Sequence, residues 1–230
     1  MLTLIDTCAS TNSAIDREAP HGFALMTREQ TAGRGQRGNS WEAEPGRNVT
    51  LSLMLRPEGL PAVRQFEVSE AVALGVADAV EELGIGGVRV KWPNDIYVGD
   101  RKIAGILIEN SLTGPMIGRS IAGIGLNVNQ REFRSDAPNP VSAWQLTGRE
   151  YDVEAVARRM VALILGRLGR DNHAEYRRRL WRGEGTWEWL TPSGERFSAA
   201  IEDVLSDGRL RLGAREPFAF KEVAPVMSVM

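Results

Sequence analysis

The sequence is poor in the residues that staple or metallate small proteins, with 1 cysteine and 2 histidines among 230 residues. Cys8 alone closes no intramolecular disulfide, and with His21 and His173 it offers no zinc-ligand spacing. Charge of one sign is missing too. With 28 basic and 30 acidic residues the net charge is −2, so no global basic field marks the chain for nucleic acid or an anionic membrane. No stretch approaches the roughly 18 apolar residues that span a bilayer, and residues 1–6 lack the basic start and apolar run of a secretory signal. Repeats and low-complexity tracts are absent as well. What remains is ordinary globular composition, 43% hydrophobic and 25% charged, with length for one large or two unequal domains. The expectation is a cytoplasmic protein of a reducing compartment that engages neither nucleic acid nor membrane.

The hydrophobic pattern gives a mixture of strands and helices, an α+β reading. Residues 22–29 (GFALMTRE) and 49–55 (VTLSLML) have strand length and apolar content, and the glycine- and arginine-rich segment between them reads as a loop. From Pro61 to Leu83, Val72, Val76, Val80 and Leu83 recur at helical spacing until Gly84 ends the run. Four short β-branched segments follow, at 88–92, 95–98, 102–109 and 116–128, and predict a mostly antiparallel sheet. A second helix is expected from Asp152 to about Trp181, with Val153, Val156, Met160, Ile164 and Leu168 on one face and arginines on the other. A basic face suits an acidic partner, but a solvated face with apolar stems is the commoner explanation and is preferred. Beyond Gly183 short alternating segments broken by turns, including 197–205, 210–212 and 218–223, read as a small β-barrel too small to be stable unless it packs on the rest.

Three clusters carry the chemistry. In the first, Gly33, Gly35 and Gly38 satisfy G-x-G-x-x-G, yet residues 42–46 (EAEPG) and then a strand follow where a dinucleotide fingerprint requires a helix. Arg34 and Arg37 among those glycines suit a loop that folds over a phosphate or carboxylate, while an ordinary solvated hairpin explains the segment as well. In the second, Lys91-Trp92-Pro93-Asn94-Asp95 fixes a rigid bend, read as a ligand-binding turn or as a plain Asx turn, and Lys102 opens the next strand. In the third, Gly123-Ile124-Gly125-Leu126-Asn127 places glycines where backbone comes close to something planar, or where a strand bulges. No G-x-S-x-G elbow, Cys-His pair or Walker A sequence is present.

Taken in this order, with Ser10-Thr11-Asn12 near the start, Gly33-Arg34-Gly35 running to Trp41, KWPND, DRK-x-AGI-L-x-E and GIG-x-N, the clusters resemble those of biotin protein ligases. The resemblance implies an α+β catalytic domain similar to class II aminoacyl-tRNA synthetases and lipoate ligases over residues 1–182, and an SH3-like module over 183–230. With no helix-turn-helix segment ahead of Ser10, it implies the monofunctional form rather than a repressor. It implies that biotin attacks ATP to give biotinyl-5′-AMP, which a lysine of a biotin carboxyl-carrier domain, such as that of acetyl-CoA carboxylase, then attacks. A homodimer is left open, and lipoate or octanoate transfer on the same fold is the alternative. By the same resemblance Lys102, Arg34 and Arg37 are catalytic. Ser10, Thr11, Asn12, Gln30, Gly33, Arg34, Gly35, Gln36, Lys102 and Gly105 hold biotin. Arg34, Arg37, Trp41, Asn94, Asp95, Lys102 and Asn127 hold ATP, and Asp95 helps place Mg²⁺. Gln36 and Asn39 stand where many members carry basic residues.

Overall fold

A computed structural model describes residues 1–35, 41–134 and 139–226. Its centre is a seven-stranded sheet built from β1 (Leu2–Cys8), β2 (Ala24–Gln30), β3 (Val49–Leu55), β4 (Val88–Lys91), β5 (Asp95–Val98), β6 (Arg101–Thr113) and β7 (Met116–Leu126), in the order β1-β2-β3-β7-β6-β5-β4. Every neighbouring pair is antiparallel except β1 and β2. β1 lies in a stretch that the sequence reading weighed only as a leader; its thin apolar content suits a half-exposed edge.

The two faces of the sheet divide the labour. Along β3 the residues Val49, Leu51, Leu53 and Leu55 enter the main core, whereas Thr50 and Ser52 are buried on the opposite face. The first face is covered by α2 (Phe66–Glu82) and α4 (Val153–Arg167), which also cross each other closely. Gly75 makes that crossing possible: a Cβ there would sit 2.6 Å from Ile164 Cγ1 and 2.7 Å from Ile164 Cα. The helix ends follow capping chemistry. Asp152 accepts hydrogen bonds from the backbone of Glu154 and Ala155, and Ser142 with Gln145 forms a capping box on α3 (Ala143–Thr147).

The helix expected to run from Asp152 to Trp181 stops at Arg167 and resumes as α5 (His173–Arg178). Gly169 turns the chain at φ +72°, and the Asn172 side chain donates to the carbonyls of Arg167 and Arg170. The chain then lies along the edge of β4, where Val90 N–H donates to Arg179 and Trp181 N–H to Val90. Arginines of this region are neutralised from α2: Arg159 pairs with Glu82 at 2.6 Å, Arg167 with Asp78 at 2.6 Å, and Arg179 with Asp78 at 2.7 Å and Glu81 at 2.5 Å.

The C-terminal segment forms two small antiparallel sheets, β12-β8-β9 and β10-β11, from β8 (Trp187–Leu190), β9 (Arg196–Ala199), β10 (Ile201–Val204), β11 (Leu210–Leu212) and β12 (Ala224–Pro225). The single strand expected over 197–205 is two, and 218–223 holds only isolated bridges, Leu210 with Phe218 and Phe220 with Val223. Trp189, Ile201, Val204, Leu210, Leu212 and Val223 join the main core, so this module does pack on the rest of the chain. Among the described residues no helix is long and apolar enough to cross a membrane.

Candidate active site

The uncovered face of the sheet floors a cleft of about 760 Å³. α1 (Thr11–Ala14), four residues long, closes one end, with Ser10, Thr11 and Asn12 all buried. Their polar atoms form one continuous network. Gln30 Oε1 accepts from Thr11 N–H at 2.8 Å and lies 3.1 Å from Thr11 Oγ1. Ser52 Oγ stands 2.8 Å from Thr11 Oγ1 and 2.5 Å from Asn12 Oδ1, and Asn12 Nδ2 donates to Glu109 Oε2 at 2.8 Å. A Cβ at Gly123 would overlap the Asn12 amide, so the glycine lets that side chain lie flat on β7.

The middle of the cleft is cationic. Lys102 Nζ lies 2.7 Å from Asp95 Oδ1, and Lys91 Nζ is 3.9 Å from Asp95 Oδ2 and 5.4 Å from the centre of the Tyr97 ring. Burial pulls the Lys91 ammonium below its usual pKa, against the pull of Asp95. Burial likewise pushes the Tyr97 hydroxyl far up, so it stays protonated. The KWPND bend is braced at each residue. Trp92 Nε1 donates to Gly208 O of the C-terminal module at 2.9 Å, the Trp92–Pro93 bond is cis, Pro93 O accepts from Tyr176 OH, and the Asn94 side chain donates to Ile106 O. Asn94 thereby ties the bend to β6 through one of its amide N–H groups.

At the other end the Trp41 indole lies on two glycines. A Cβ at Gly125 would overlap the indole, and one at Gly105 would come within 3.1 Å of it and 3.2 Å of Lys102 Nζ. Lys102 Nζ is 5.8 Å from the indole centre. Among the described residues the buried Trp41 Nε1 and Asn127 Oδ1 find no hydrogen-bond partner, although Asn127 Nδ2 donates to Val141 O at 3.1 Å.

Twelve of the residues expected at the site line this one cleft: Ser10, Thr11, Asn12, Gln30, Arg34, Gly35, Trp41, Asn94, Asp95, Lys102, Gly105 and Asn127. Gly33 stands behind it, where a Cβ would lie 2.7 Å from the Trp41 carbonyl oxygen. Gln36, Arg37 and Asn39 lie outside the described residues. Arg34 pairs with Glu109 at 3.3 Å, whereas Lys102 pairs with Asp95. Sequence reading missed Thr50, Ser52 and the site part of Lys91 and Glu109. The alternation of VTLSLML pointed Thr50 and Ser52 away from the core, and that was the available signal.

The fold that carries this glycine-lined face is that of the biotin/lipoate protein ligases. Biotin protein ligase from Aquifex aeolicus, solved in complex with biotin and ATP, superposes with a TM-score of 0.80 over 99% of both chains at 22% identity. The Helicobacter pylori biotin acetyl coenzyme A carboxylase synthetase gives 0.65 over 94% of this chain and 98% of its own, at 23% identity. Residues 7–129 match the model of the biotin/lipoate A/B protein ligase family. The chain is 30% identical to the biotin–[acetyl-CoA-carboxylase] ligase of Mycobacterium tuberculosis over 83% of this chain and 73% of that protein. It is 35% identical to the bifunctional ligase/repressor BirA of Escherichia coli over 73% of this chain and 51% of that protein. The chain belongs to the biotin/lipoate A/B protein ligase family. It spans about half the length of the first curated relatives it matches.

Proposed function

We propose that the protein is an ATP-dependent biotin–protein ligase. The observation that carries this reading is the Lys102 ammonium, held 2.7 Å from Asp95 between a hydrogen-bonding end at Thr11, Asn12 and Gln30 and an aromatic end at Trp41. Joining a carboxylate to a triphosphate requires two anions at near-attack distance, so fixed positive charge between two distinct subsites is the main demand on the protein. The biotin carboxylate attacks the α-phosphorus of ATP, a C–O–P anhydride forms, and pyrophosphate leaves. An acceptor lysine amine then attacks the acyl carbon, AMP leaves, and the amine loses a proton as the amide forms. No enzyme nucleophile enters either step.

In this account Lys102 bridges the carboxylate and the α-phosphate, Arg34 supports the same anions, and Arg37 holds the departing phosphates. Ser10, Thr11, Asn12 and Gln30, with Gly35, Gln36 and Gly105, meet the ureido and tetrahydrothiophene rings. Asn127 Oδ1 and Trp41 Nε1, one acceptor and one donor without partners, suit the edge of a purine. Among the described residues no group of three or more His, Cys, Asp or Glu can hold a metal. Asp95 alone, already paired with Lys102, makes no resident metal site, so Mg²⁺ enters as part of MgATP, held mostly by phosphate oxygens and water. The macromolecular substrate is a biotin carboxyl-carrier domain presenting a lysine on an exposed turn. The test is pyrophosphate release from MgATP with biotin and with lipoate in parallel. Release driven by biotin supports the reading, and release driven by lipoate alone contradicts it.

A further inference from the structure

Glu109 is given no part in the proposed reaction. Its side chain is 43% exposed on β6, yet a single oxygen, Oε2, accepts from Asn12 Nδ2 at 2.8 Å on the inner side and from Arg34 Nη2 at 3.3 Å on the loop side. An ionised carboxylate only accepts hydrogen bonds. Asn12 must therefore present its NH₂ to Glu109, which turns its carbonyl oxygen toward Ser52 and makes Ser52 the donor of the 2.5 Å contact. Ser52 Oγ also lies 2.8 Å from Thr11 Oγ1, whose own hydroxyl donates to Gln30 Oε1 at 3.1 Å, beside the Thr11 backbone N–H that donates to the same oxygen at 2.8 Å. One carboxylate at the rim thus sets the donor direction along Asn12 and Ser52, next to Thr11 and Gln30.

We infer that Glu109 is a positioning residue: it fixes the hydrogen-bond polarity of the small-molecule end of the cleft and tethers the first arginine of the glycine loop to that end. The ligand is the ureido-ring carboxylic acid of the proposed reaction, and the inference rests on that reading. Because Arg34 and Asn12 share one oxygen of Glu109, filling the pocket and placing the loop arginine are coupled. An exposed ion pair alone contributes little, so the effect is carried through the Asn12 amide.

The test is calorimetric titration of biotin into the full chain and its Glu109→Ala and Glu109→Gln variants, with the KM for ATP and the thermal midpoint of each. Glu109→Ala is expected to weaken biotin about tenfold or more while leaving the KM for ATP and the midpoint within error. Glu109→Gln still accepts from Asn12 and Arg34 through its one amide oxygen but without the negative charge, and should recover part of the affinity. A double cycle with Arg34→Ala should be non-additive. Unchanged biotin affinity in Glu109→Ala overturns the inference while wild-type binding keeps the proposed activity. A parallel fall in the thermal midpoint and in both ligands also overturns it, as a merely structural role. A wild-type chain that binds no biotin overturns both.

Discussion

Lys102 and Asp95 face each other at 2.7 Å across the β5–β6 pair, beside the register shift between Ile96 and Tyr97. The shift brings two charged side chains from adjacent strands to one point on a face otherwise lined by Gly105, Gly123 and Gly125. Asp95 also stands 3.9 Å from Lys91, so one carboxylate holds two ammonium groups over the centre of the cleft. A buried cation requires such a partner, and an incoming phosphate offers a second.

The Trp41–Gly125 contact leads to a selective prediction. Because a Cβ at position 125 would overlap the indole, Gly125→Ala must push Trp41 off the sheet. The expected outcome is a KM for ATP raised about tenfold with biotin affinity preserved, read by steady-state kinetics and titration; about 1.4 kcal/mol corresponds to that factor.

The α2–α4 crossing predicts a stability effect far from the chemistry. Gly75→Val places methyl groups against the backbone of Ile164, whose Cα and N lie 2.7 and 2.8 Å from an ideal Cβ. Overpacking of this kind costs about 1–3 kcal/mol, more where backbone must shift. Denaturant unfolding should show a lower midpoint at an unchanged slope, with ligand affinity intact in the fraction that remains folded.

A pH dependence follows from His173, whose Nδ1 lies 2.8 Å from buried Glu70 on α2 and whose Nε2 lies 3.0 Å from Asp203 on β10, with Arg177 3.5 Å from the same Asp203. Burial opposes the imidazolium, but the bonds and charges of Glu70, then of Asp203, outweigh it and raise the pKa. Burial raises the Glu70 carboxyl, against the lowering effect of His173, with Glu67 and Asp171 adding like charge. A raised His pKa contributes stability that is present below about pH 6.5 and is lost as pH rises through the folded value. The raised Glu70 pKa acts in the same direction, favouring the folded state at the acid end. Thermal midpoints should therefore fall as pH rises above about 6.5, and His173→Asn should flatten that slope. His173 is 41% exposed, so screening limits the contribution to about 1 kcal/mol.

Much of this was legible in the chain because the clusters at Ser10, Gly33, Lys91, Lys102 and Gly123 are short and each sits at the end or on the open face of an element that its own period announces. What was not legible depends on tertiary pairing. β1 has no strong alternation because it is an edge strand, and its one partner, β2, is parallel and distant in sequence. The break after Arg167 is set by Asn172 turning back on the Arg167 carbonyl and by the β4 edge beyond it, neither of which the arginine-rich helical pattern reveals. Ser52 and Glu109 look like a strand hydroxyl and a surface acid until Asn12 arrives between them from the start of the chain, 40 and 97 residues away. The arginine-rich face reads as a solvated one, and its pairing with the acids of α2 opposite it is not visible in the sequence.

The most direct test of the central claim is formation of the acyl adenylate from MgATP and biotin by the wild-type chain beside folded Lys102→Ala and Lys102→Gln variants, with lipoate as the parallel acid. Loss of one preorganised charge at the reacting centre costs about 10²–10³ in rate. The account predicts biotin-dependent adenylate in the wild type and a fall of that order in both variants at unchanged thermal midpoints. Adenylate formation undiminished in the two variants, or none with biotin in the wild type, would contradict it.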